Sequence, residues 1–186
     1  DAVAALRSRD SVRELLQTSE SHFVLGYETT VVRALISHLQ DALDRLNFCD
    51  QVGLLQISTA IGEAITNAID HGNLELDSAL RDGTKRYRDL GKQRSQEEPY
   101  CNRRVHVTAH LTPELATYVI EDEGPGFDPA SLPDPMHSAN LLKSNGRGIM
   151  LIRTFMHDVH DVHDVHFNQR GNCLTMSRRR SDTTAT

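Results

Sequence analysis

The chain has 186 residues, a formal net charge of −6, 25% charged and 38% hydrophobic residues. That is enough for one well-cored domain plus an appendage and too little for two full-sized ones. No apolar run is read as approaching a membrane span, the acidic balance argues against a general nucleic-acid binder, and three widely spaced cysteines (Cys49, Cys101, Cys173) fit incidental thiols in a reducing compartment, with the cytoplasm as the default. The start at Asp1 rather than Met suggests a chain cut from something longer.

Residues 2–18 carry Ala2, Ala5, Leu6, Val12, Leu15 and Leu16 among charges and read as a short helix, either a linker or a dimer contact. His22 to Gly26 reads as an edge strand. Thr29 or Thr30 is then expected to cap a helix running to about Asn47 on Val32, Leu35, Ile36, Leu39, Leu43 and Leu46.

After a turn at Asp50 comes the stretch from Ile57 to Asn73. Ile57, Ile61, Ala64, Ile65, Ala68 and Ile69 recur at helical steps and predict a face packed on a sheet. Glu63, Asn67 and His71 stack four apart on a second face, and Gly72 follows as an expected C-terminal stop. A carboxylate and a carboxamide one turn apart suit proton handling beside a hydrated metal ion.

Residues 74–104 form a basic segment within an acidic chain, read either as a solvated helix and loop or as a docking surface for an acidic partner. Arg103–His110 and Leu115–Glu121 alternate as two strands of a hairpin across Thr112-Pro113-Glu114. The second strand delivers Asp122 into a turn with Gly124 and Gly126, and a buried carboxylate acceptor there can select an exocyclic amine. A loop rich in Pro, Ser and Asn leads to Gly146, Arg147 and Gly148 directly before the apolar run Ile149–Met156, where glycines and free helix amides favour phosphate. A triple His-Asp-Val repeat over 157–165 reads as a tandem duplication in a connection, with metal binding as the rival reading. An alternating strand, Asn172–Ser177, closes the fold before a polar tail.

Taken in order, the Glu-x-x-x-Asn-Ala-x-x-His-Gly helix, the Asp-x-Gly-x-Gly-Phe turn and the Gly-Arg-Gly-Ile turn resemble the ATP-binding domains of the GHKL superfamily. Asn-Ala-Ile-Asp-His-Gly and Gly-Arg-Gly-Ile-Met-Leu-Ile-Arg-Thr-Phe-Met are most similar to anti-sigma-factor serine/threonine kinases. The resemblance implies an α/β (α+β) Bergerat fold: a two-layer sandwich of a mixed, mostly antiparallel sheet with helices on one face. It implies a domain over 20–180, with an N-terminal helix or linker over 1–19 and a tail over 181–186.

By position, the family's roles fall on Glu63 as general base, Asn67 as magnesium ligand, Asp122 as reader of adenine with Gly124 and Gly126 shaping its pocket, and Gly146, Arg147 and Gly148 as the phosphate turn. Residues 128–145 would be the ATP lid. On the last strand, where the family has Gly-Thr beside adenine, this chain has Gly171-Asn172, so the nucleotide contact passes to Asn172. The implied cofactors are ATP and Mg2+. The implied partners are a STAS-type anti-anti-sigma protein and a sigma factor, with a homodimer possible and neither direct nucleic-acid nor membrane binding. The alternatives are the catalytic domain of a histidine kinase, against which the chain shows no helix pair bearing a phosphoacceptor His, and a nucleotide-sensing partner-binding module without catalysis.

Overall fold

The computed structural model describes residues 17–78, 85–131, 147–156 and 165–180. The expected helix over 2–18, most of the lid, Gly146 and His-Asp-Val units 157–164 lie outside the described residues.

Five strands form one sheet in the order β1-β2-β3-β5-β4: β1 Ser19–Leu25, β2 Val105–Leu111, β3 Leu115–Asp122, β4 Val165–Phe167 and β5 Cys173–Arg179. All four pairings are antiparallel, so among the described residues the sheet is wholly antiparallel rather than mixed. β1 is an edge strand as expected, but begins at Ser19 and pairs with β2 from Ser19↔Leu111 to Leu25↔Val105. β4 replaces what reads in sequence as a plain connection; Phe167 pairs with Leu174.

One face of this sheet is covered. Val105, Val107, Ala109 and Leu111 of β2, Ala116, Tyr118 and Ile120 of β3 and Leu174 and Met176 of β5 are buried, while their alternates remain partly exposed. The covering layer comprises helices α1 (Thr29–Arg45), α2 (Gln51–Asn67) and α4 (Arg147–Met156), with buried Leu39, Leu43, Ile57, Ile61, Ile65, Ile152 and Met156 closing one core. Burying side chains of this size removes roughly 1.5–3 kcal/mol of exposure cost each, so this shared core holds α2 against the sheet. A further helix, α3 (Lys85–Arg94), has no buried residue.

Two helix ends depart from expectation. Glu28 occupies the N-cap of α1 and makes no side-chain capping bond, so neither Thr29 nor Thr30 caps it. At α2 the Asp50 side chain accepts from the Gly53 amide at 2.8 Å, a normal carboxylate cap. Gly72 does not stop the helix. The α-helix ends at Asn67 and continues as a π-helical turn, Ala68–Asn73, with the Leu74 amide donating to Ile69 O at 2.8 Å. The continuous run Gln51–Asn73 is long and apolar enough to pass as a membrane span by composition, against the sequence expectation; its apolar side is packed in the core.

The Tyr118 hydroxyl is fully buried without a hydrogen-bond partner, and burial holds its phenol pKa above the ordinary value. An orphaned hydroxyl costs about 1–3 kcal/mol. Tyr118→Phe is therefore expected to raise the unfolding free energy by roughly 1 kcal/mol in urea titration; a loss of stability would show that the hydroxyl is satisfied in solution.

Candidate functional site

Tight packing on one side of α2 leaves Glu63, Asn67 and His71 half-buried on another. His71 is fixed by its Nδ1–H donating to Leu76 O at 2.7 Å. Against Glu63 and Asn67 sits the start of α4. A Cβ added at Gly148 would stand 2.8 Å from Glu63 Oε2 and 3.2 Å from Asn67 Nδ2, closer than side-chain carbons approach such atoms. With glycine there, the α4 backbone comes this near while the Glu63 and Asn67 side-chain ends keep their places; a larger residue would push those ends aside. Gly146 and the Arg147 side chain lie outside the described residues.

The second focus is Asp122, 8% exposed at the end of β3. Its Oδ1 accepts from the Gly124 amide at 2.9 Å. Gly72, in the π-helical turn after α2, is wedged against it: a Cβ there would lie 2.5 Å from each carboxylate oxygen, and one on Gly124 would strike the Gly72 carbonyl. Asn73, 1% exposed, accepts from the Glu123 amide through Oδ1 at 2.8 Å, while its Nδ2 is a buried donor without a partner. Burial raises the Asp122 pKa to about 6, opposed by the Gly124 amide and the Arg170 guanidinium.

Behind Asp122 the turn before β5 is pressed against the Gly124–Phe127 turn. Phe127 N–H donates to Arg170 O at 3.0 Å, Arg170 Nη2 donates to Gly124 O at 3.0 Å, and Gly126 and Gly171 both adopt positive φ where the two backbones meet. Asn172 is buried here. Its Nδ2 donates to Asp122 O at 2.7 Å and its Oδ1 accepts from Asn168 Nδ2 at 3.0 Å. The side chain is thus engaged with the Asp122 main chain, as a brace from behind.

The structure therefore brings Glu63, Asn67 and Gly148 together at one place, and Asp122, Gly124, Gly126 and Asn172 at another, both reached from α2. Three residues not singled out from sequence support the second place: Asn73, Arg170 and Arg103, whose Nη1 donates to Asn73 O at 2.7 Å. Asn73 ends the helix motif and was open to notice; the two arginines carry no local signal.

The donor set fits a magnesium-bound adenine nucleotide. A glycine-walled carboxylate acceptor with a spare amide donor nearby suits a base bearing an exocyclic amine, and a side-chain-free helix start facing a carboxylate and a carboxamide suits phosphates and a hard cation. Asn67 would hold the cation. Among the described residues no cluster of three or more His, Cys, Asp or Glu side chains is arranged to ligate a metal by itself, so phosphate oxygens and water would complete its shell. A family model described as the histidine kinase-like ATPase domain matches residues 27–178. No curated protein matches the chain.

The raised Asp122 pKa sets a sign. The folded state holds the proton up to about pH 6, the unfolded chain only to about 3.8, so this group's stabilising contribution is full below 3.8 and lost as pH rises through 6. Asp122→Asn should thus stabilise the fold at pH 7.5 by roughly 1–2 kcal/mol and by much less at pH 4, while abolishing adenine-nucleotide binding in calorimetry. Equal effects at both pH values would refute the linkage.

Proposed function

Because the chain belongs to the histidine kinase-like ATPase family, we propose that it is an ATP-dependent serine/threonine protein kinase of the anti-sigma-factor type. Its partners are then a STAS-type anti-anti-sigma protein, which it phosphorylates, and a sigma factor, through which it regulates transcription in the cytoplasm. Membership makes the domain an ATP-binding one with ATPase or phosphotransfer chemistry. The kinase reading rests on one observation above all: Gly148 at the head of α4 is seated on Glu63 and Asn67, so a phosphate chain held at that helix start lies beside a potential base.

In this reading Asp122 accepts from the exocyclic amine of the base, and its neighbours Gly72 and Gly124 place backbone but no side chain against it. The α4 amides and Gly148 receive the phosphates, and Asn67 holds magnesium. Bound magnesium neutralises phosphate charge. Glu63 takes the proton from the acceptor hydroxyl as its oxygen bonds to the terminal phosphorus and the bond from that phosphorus to the bridging oxygen breaks, releasing ADP. Positioning and charge compensation carry most of such a transfer.

Glu63→Gln keeps the shape but removes the base. Its expected result is a loss of phosphoserine or phosphothreonine formation on a STAS substrate of roughly a hundredfold or more, with ATP affinity within about twofold of wild type. Undiminished transfer would sink the base assignment. Gly148→Ala, whose new methyl displaces the Glu63 carboxylate and fills the space at the helix start, should weaken ATP binding by at least about tenfold without changing the far-ultraviolet circular dichroism; unchanged affinity would place the phosphates elsewhere.

A further inference from the structure

Helix α3 lies in the basic segment, and its residues divide into two faces. Tyr87, Leu90, Gly91 and Arg94 are half-buried and turn toward the body at helical spacing. The Tyr87 hydroxyl donates to Asp70 Oδ2 at 3.0 Å, Gly91 lies against Leu76, and Arg94 Nη1 donates to Leu74 O at 2.6 Å and Glu75 O at 2.7 Å. The opposite face exposes Lys85, Arg88 and Lys92, at i, i+3 and i+7, with Asp89 among them and Arg86 to one side.

The ion pairs among the described residues are His22 with Glu20, Arg103 with Glu75 and His106 with Glu123. None involves this stripe, although Asp89 shares the helix and Glu97 and Glu98 follow it. The nearer of these two, Glu97, accepts instead from Gln93. Like charges three and four apart, as in Lys85 with Arg88 and Arg88 with Lys92, disfavour a helix, while Asp89 on the same face, four after Lys85 and three before Lys92, offsets part of that. Four exposed cations against one carboxylate leave the face with a net positive charge of three that no ion pair within the described residues uses.

We propose that the outward face of α3 is the docking surface for a carboxylate-rich segment of a partner protein. Charge complementarity selects that occupant. A stripe from Lys85 to Lys92 is only about 10 Å long at 1.5 Å per residue, the length of a short acidic helix or strand. A nucleic acid needs a longer basic track, and the remainder of a chain with net charge −6 repels it. The anchoring face ties this surface to the nucleotide helix. Arg94 and Arg103 each place a guanidinium 5.1 Å from the Tyr100 ring, and Arg103 continues to Asn73 O and Glu75 Oε1. A segment docked on α3 thus bears on the peptides that follow Gly72 and flank Asp122.

The test uses the full chain without nucleotide, so its failure leaves the ATP reading standing and failure of ATP calorimetry leaves this surface standing. The probe is a fluorescein-labelled Glu-rich helical peptide, followed by anisotropy. Replacing Lys85, Arg88 and Lys92 together by Glu should weaken binding by at least roughly tenfold, whereas Arg33→Glu, an exposed cation on α1, should change it by less than about twofold. Replacing the same three residues by Gln guards against a charge-driven loss of structure and should weaken binding too. The proposal is overturned if the stripe variants bind the peptide as wild type does, if Arg33→Glu loses as much, or if duplex DNA or phosphatidylserine vesicles bind the stripe more tightly than the peptide.

Discussion

The contact on which the candidate site depends is that between the end of α2 and the end of β3, where Gly72 lies directly against the Asp122 carboxylate. A side chain on Gly72 would displace that carboxylate. The π-helical turn at Ala68–Asn73 is the local consequence. Hydrogen bonding from Leu74 back to Ile69 admits one extra residue per turn, which re-aims Gly72 and Asn73 relative to the line of Glu63 and Asn67. Asn73 can then bond the Glu123 amide. The helix keeps its chemistry-bearing face in one place while its last turn docks on the sheet.

That arrangement works against stability. Asp122 is buried with a carboxylate that ionises at the cost of desolvation, and the Asn73 Nδ2 beside it has no partner. Both are groups that an optimised core would lack. They persist because the surrounding structure over-determines them: Asn172 and Asn168 brace the Asp122 backbone, Arg170 bonds the Gly124 carbonyl, and Arg103 bonds the Asn73 carbonyl. Unfavourable polar groups held by redundant bonds are the mark of a site in which a ligand completes the bonding.

How far the sequence discloses this depends on the range of the interactions. The apolar face of α2 is legible because its spacing alone places Ile57, Ile61 and Ile65 in the core. The β2–β3 hairpin is legible because alternation and the Thr112–Glu114 turn are local. The approach of Gly148 to Glu63 follows from motif order, and the family resemblance supplied that order. What escaped was set by distant partners. The π-turn sets Gly72 against a carboxylate fifty residues away, β4 is held as the partner of β5, and the sheet is antiparallel among the described residues because each of its four pairings is. That Asn172 also binds the Asp122 main chain and Asn168 depends on partners its position in the sequence does not disclose.

The basic segment shows most clearly how composition conceals function. Counted together, its cations suggest one undifferentiated patch. In the fold Arg94 and Arg103 turn inward, stack on Tyr100 and bond the carbonyls of Asn73, Leu74 and Glu75. Lysine could not replace them, since bonding two acceptors while lying over a ring needs a planar, multiply donating head. Lys85, Arg88 and Lys92 do none of this. The same segment therefore clamps the turn that follows α2 with one set of cations and presents another to solvent. Arg94 and Arg103 thereby join the segment to the peptides beside Asp122, and were binding at either place to change affinity at the other, linkage would make the two changes equal.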